Sequence, residues 1–76
     1  IRVFPNPTKE SVTITTAFKN PSRLEIINIL GQSRMSLDLL SESQVLTIEM
    51  LPAGMYFLNF YEGNKLQGVK KLLIEE

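Results

Sequence analysis

Apolar and polar residues alternate with a period of two along most of this chain, in short runs about ten residues apart, several of them bounded by proline or glycine. Successive side chains of a strand point to opposite faces, so this pattern builds strands with one buried and one wet face. No window sustains the i, i+3, i+4, i+7 apolar stripe of an amphipathic helix. The spacing predicts an all-β chain of about seven short antiparallel strands, paired into the two layers of a β-sandwich. With 76 residues it makes one domain, 1–76.

The strands are read as follows. Ile1–Phe4 is the first, ended by Pro5-Asn6-Pro7. Glu10–Thr16 is the second, with Val12 and Ile14 inward and Ser11, Thr13 and Thr15 outward. Asn20-Pro21-Ser22 turns the chain into a third strand, Arg23–Leu30. There Leu24 and Ile26 share one face while Ile27 and Ile29 share the other, so either both faces are covered or a bulge shifts the phase near Asn28. Ser33–Leu37 returns, with Met35 and Leu37 on one face. Asp38–Gln44 reads as a loop, or as a single helical turn begun by Leu39 and Leu40. Val45–Met50 is a strand with Leu46, Ile48 and Met50 on one face. Met55–Tyr61 follows, with Tyr56, Leu58 and Phe60 facing one way and Phe57 and Asn59 the other. Glu62-Gly63-Asn64-Lys65 is a hairpin loop, and Leu66–Ile74 closes the fold with Leu72 and Ile74 on one face.

Eight Lys and Arg balance eight Asp and Glu, and they are scattered. A neutral chain has no basic stripe to neutralise phosphates, so no nucleic-acid partner is expected. Histidine and cysteine are absent, which removes the commonest general base and the commonest metal ligands. The serines therefore have no His partner, and the carboxylates lack the spacing of a calcium loop. No catalytic residue, metal site or cofactor is expected. The chain opens at Ile1 without a basic and then apolar leader, and it reads as a piece cut from the end of a longer protein, any export signal lying upstream.

Four constellations stand out. Pro5 and Pro7 lock φ and lack an N–H, and Asn6 between them is pushed to extended geometry. The segment reads as a stiff bend carrying the chain from one sheet to the other, with the Asn6 side chain bonded to the Thr8 backbone, or as a recognition epitope. Gly31, in Asn28-Ile29-Leu30-Gly31-Gln32, permits a positive φ after a buried strand. In Leu51-Pro52-Ala53-Gly54-Met55-Tyr56, Pro52 presets one corner of a turn and Gly54 tolerates a positive φ. Tyr56 then enters the core as in a tyrosine corner, its hydroxyl bonded to an upstream backbone group. Lys70 and Lys71, before Leu72, either discourage edge-to-edge pairing or form a charged handle for a receptor.

Taken in order and spacing, Val3-Phe4-Pro5-Asn6-Pro7, Ile29-Leu30-Gly31-Gln32, Leu51-Pro52-Ala53-Gly54-Met55-Tyr56 and Lys70-Lys71-Leu72-Leu73-Ile74 resemble the type IX secretion system C-terminal sorting domain, type A. The resemblance covers essentially the whole chain. It implies an immunoglobulin-like sandwich of seven strands at the C-terminus of a cargo protein. It implies passage through the periplasm, recognition by the outer-membrane translocon, removal by a cell-surface sortase, and cargo that ends at the cell surface or secreted. Carried over by position, the signal residues are Pro5, Asn6, Pro7, Gly31, Leu51, Pro52, Ala53, Gly54, Tyr56, Lys70, Lys71 and Leu72. Met50 departs from the pattern, where a small polar residue is more usual.

Two functions from different classes fit these residues. One is a sorting signal that works by binding alone, through exposed turns and one sheet edge; a free edge could also pair two copies. The other is an accessory sandwich of a secreted enzyme, binding carbohydrate or protein or spacing domains. A carbohydrate platform exposes aromatics, whereas there is no Trp, and Phe4, Phe18, Tyr56, Phe57, Phe60 and Tyr61 mostly fit core positions.

Overall fold

The computed structural model describes residues 1–18 and 22–76. Seven strands form: β1 Arg2–Phe4, β2 Ser11–Thr15, β3 Ser22–Asn28, β4 Ser33–Leu39, β5 Ser43–Thr47, β6 Gly54–Glu62 and β7 Lys65–Ile74. All ladders between them are antiparallel. One sheet has the order β1-β2-β5 and the other β4-β3-β6-β7, so the expected two-layer sandwich stands. The fourth strand lies beside the third, and the chain changes sheet between β2 and β3, β4 and β5, and β5 and β6.

Alternation dictates which residues fill the space between the layers. Val12 and Ile14 from β2 meet Leu24 and Ile26 from β3, Tyr56, Leu58 and Phe60 from β6, and Leu72 and Ile74 from β7. Each fully buried Leu or Phe contributes about 1.5–3 kcal/mol relative to exposure, which makes this inner layer the main source of stability. Val3, Phe18, Met35, Leu37, Leu39 and Leu46 pack around it half-buried.

Several boundaries differ from expectation. Asp38–Gln44 is not a long loop or a helical turn. Ser22 pairs with Leu39 and Arg23 with Asp38, so β3 draws the chain into β4 for two further residues. Ser43 and Gln44 already pair with Thr15 and Ile14, leaving only residues 40–42 as the connection. The Gln44 side chain accepts from the Leu40 N–H at 3.0 Å and closes it. Val45–Met50 ends early, at Thr47. Ile48 remains in the core, its N–H donating to the Glu10 carbonyl at 2.8 Å, but Leu51 N–H turns back to the Ile48 carbonyl. That turn hands the next core position to Leu51 and leaves Met50 71% exposed rather than inward.

The third strand stops at Asn28, so Ile29 and Leu30 are exposed turn residues. The strand itself keeps one phase, since its register with β6 runs through unbroken; the shift against β4 between Ile26 and Ile27 is a bulge on the β4 side, where Arg34 is the extra residue. Ser22 of the expected turn opens β3, and Asn20 and Pro21 lie outside the described residues. The β6–β7 hairpin is tight. Glu62 pairs with Lys65 around Gly63-Asn64, and Gly63 at φ 61° takes the first central position, as a type II′ turn requires.

The role expected for Pro5-Asn6-Pro7 is also corrected. β1 and β2 pair in the same sheet, Phe4 opposite Thr13, so the bend does not move the chain between layers. The expected Asn6–Thr8 bond gives way to contacts with β7 in the other sheet. A pair of prolines cannot donate to a neighbouring strand, so the asparagine side chain between them makes the contact instead.

Candidate functional site

The strand registers gather all four motifs at one pole. Ser11 at the start of β2 faces Thr47 at the end of β5, Tyr56 near the start of β6 faces Asn28 at the end of β3, and Gly54 faces Ile74. The bends 5–10, 29–32 and 48–53 and the end of β7 therefore lie together. Arg2 pairs with Thr15, which puts Ile1 at the opposite pole with residues 40–42 and the Gly63-Asn64 hairpin.

Residues 5–8 form a strap along the outer edge of β7. The Thr8 N–H donates to the Leu73 carbonyl at 3.0 Å, and the Glu75 N–H donates to the Thr8 carbonyl at 2.7 Å, giving a parallel bridge between Thr8 and Ile74. The Asn6 carboxamide repeats that pattern one step up the strand. Its Nδ2 donates to the Lys71 carbonyl at 2.9 Å, and its Oδ1 accepts from the Leu73 N–H at 3.0 Å. A residue of a parallel neighbour opposite Leu72 would make the same two bonds, so Asn6 stands in for backbone. Thr8 is 4% exposed, and its hydroxyl donates to the Ser11 carbonyl at 2.6 Å. Hence no buried polar atom of the strap is left unpaired.

The second and third motifs meet across a cleft of about 290 Å³ between Ile29 and Arg34 on one side and Pro52 to Tyr56 on the other. The Asn28 side chain shapes one wall: its Oδ1 accepts from the N–H groups of Leu30 and Gln32, and Gly31 completes the turn at φ 82°. On the other wall the Tyr56 hydroxyl donates to the Pro52 carbonyl at 2.6 Å, the corner bond expected from sequence. Gly54 stands at φ 149°, a conformation that side chains rarely adopt. Ala53 lies between this cleft and a second one bordered by Glu49, Leu51 and the Ile74–Glu75 end of β7.

The sequence-derived signal residues thus divide by burial. Pro5, Asn6, Pro7, Gly31, Pro52, Ala53, Lys70 and Lys71 are exposed and Gly54 is half-buried. Leu51, Tyr56 and Leu72 belong to the core, where they hold the exposed ones in place. Lys70 and Lys71 do not form one charge cluster. Lys71 stands opposite Phe57 on the outer face, and Lys70 stands opposite Leu58, at an inward register position of the edge strand that solvent still reaches. Thr8, Asn28 and Leu73 belong to the site but were not among the signal residues carried over from sequence. Asn28 had a local signal, an Asn three residues before a turn glycine, whereas Thr8 and Leu73 gain their roles only through pairing across the fold. Phe4 is exposed, against the expectation that the aromatics are mostly core, with the Arg2 guanidinium 5.1 Å from its ring centre.

The family model for the secretion system C-terminal sorting domain matches residues 2–75. The chain belongs to this family. The match spans every strand, so the sorting domain here is the whole sandwich rather than a short tail attached to it. No curated protein matches the chain. As a type IX sorting domain it marks a cargo for secretion.

Proposed function

We propose that this chain, as one domain over residues 1–76, directs an N-terminally attached cargo through the type IX outer-membrane translocon and is then removed by a cell-surface sortase. It acts without catalysis of its own, in the periplasm during transit and at the cell surface at the end of it. The observation that carries this reading is the convergence of the four motif bends at the pole away from Ile1. A signal at that pole faces the machinery while the cargo, joined at the other pole, stays clear of it. Rigid turns suit such a task, because little conformational entropy is lost when a partner grips them.

The test is a passenger protein carrying an export signal, fused ahead of residues 1–76 and expressed in a host with a type IX system. The wild-type fusion reaches the surface, while Gly54→Trp and Lys71→Glu fusions are retained in the periplasm. Equal surface delivery of all three would show that these residues are not read. Failure of the wild-type fusion alone would overturn the sorting function of the isolated segment.

A further inference from the structure

The strap covers only part of the β7 edge. β7 is the last strand of its sheet, and the Asn6 and Thr8 contacts stop at Lys71. Leu73 directs its N–H and its carbonyl outward to the strap, and Lys71 directs its carbonyl there. In an antiparallel ladder alternate residues point both backbone groups the same way, so the Lys71 N–H and both polar groups of Val69 also point away from β6. These three groups are the next rungs of the parallel ladder that Thr8 and Asn6 begin, and no strand of the described residues lies beside them.

We propose that the open backbone groups of Val69 and Lys71 are a strand-addition site for an extended acidic segment of a partner protein, which continues the parallel ladder beyond Asn6. The proposal rests on the sorting reading and names the partner's chemistry. Backbone bonds at Val69 and Lys71 supply affinity in this mode of recognition, and side chains at alternate positions supply selectivity. Lys70 and Lys71 present a cation on each face of the edge, and their cross-strand neighbours Leu58 and Phe57 are uncharged. Carboxylates at two adjacent positions of an incoming strand, one on each face, complement them. A second copy of the chain brings like charges together and is disfavoured. Val69 and Leu66, each 49% exposed, offer apolar contact on the outer face.

The test uses two variants and two readouts. Val69→Pro removes an outward N–H without removing a bond to β6, which edge strands tolerate. The Lys70→Glu/Lys71→Glu pair reverses the charge and leaves the backbone intact. The 76-residue chain is titrated by NMR with a synthetic peptide carrying an adjacent Glu-Glu pair between Val and Thr residues, and with a Lys-for-Glu control. The Glu peptide shifts the Val69 and Lys71 amides of the wild type, while Val69→Pro and the double variant each weaken binding about tenfold or more. Equal binding of the Lys control, wild-type affinity in both variants, no binding by the wild type, or shifts explained by dimerisation in sedimentation would each overturn it. In the secretion assay, a wild-type passenger that reaches the surface alongside both variants at equal yield refutes the edge site and leaves the sorting function standing. A wild-type passenger that stays inside refutes the sorting reading, and the peptide titration still decides the edge.

Discussion

The Tyr56 hydroxyl donates to the carbonyl of Pro52 at 2.6 Å, so the side chain that opens β6 ties down the loop that delivers it. The ring is buried among the inner-face residues and the bond reaches back four positions, which couples the exposed Pro52-Ala53 bend to the core. Tyr56→Phe keeps the ring and leaves the Pro52 carbonyl without its partner. The expected loss is about 1–2 kcal/mol. For a chain of this size that corresponds to a fall in Tm of roughly 4–15 °C, measurable by thermal unfolding.

The Asn6 carboxamide separates two hydrogen bonds that two substitutions can distinguish. Asn6→Asp keeps an acceptor for the Leu73 N–H but loses the donor to the Lys71 carbonyl and sets an anion beside that oxygen. Asn6→Ala loses both. Amide exchange reads the difference: Leu73 stays protected in Asn6→Asp and exchanges faster in Asn6→Ala, while Glu75, held by Thr8, stays protected in both. Equal protection of Leu73 in all three proteins would mean that Asn6 does not stand in for backbone.

The two motif glycines are required for different conformations. A Cβ at Gly31 or Gly54 meets open space, so any cost of substitution is backbone strain. Gly31 at φ 82° lies near the left-handed region that asparagine tolerates, and Gly54 at φ 149° lies well outside it. Gly31→Asn therefore costs under about 1 kcal/mol, and Gly54→Asn costs more, about 1–3 kcal/mol. Chemical denaturation of the two variants measures the difference.

Leu72 adjoins the exposed lysines yet is fully buried against the inner layer. Leu72→Ala opens a cavity and removes about 2–5 kcal/mol, enough to unfold much of a small domain. Its fusion is expected to be lost to proteolysis rather than retained folded in the periplasm, and pulse proteolysis of the purified chain separates the two outcomes. A Leu72→Ala protein as stable as the wild type would remove this residue from the core.

The alternation of residues determined the strands, most of their inner faces and most of their ends to within one residue, because burial of one face imposes a period of two wherever a strand lies. Val12, Ile14, Leu24, Ile26, Leu58, Phe60, Leu72 and Ile74 were legible in this way, as was the Tyr56 corner, whose partner lies four residues away. Boundaries set by a neighbouring strand were not: Leu39 joins β4 because Ser22 is opposite it, and Met50 leaves the core because Leu51 takes the place. Only the tertiary structure decided that the proline bend straps β7, that Asn6 bonds residues more than sixty positions away, and that Lys70 and Lys71 stand on opposite faces of an open edge. The physical reason is that a local pattern specifies which side of a strand is dry. Which strand lies beside it depends on sheet order, and that is settled by non-local hydrogen bonds and the closing of the two layers on one another.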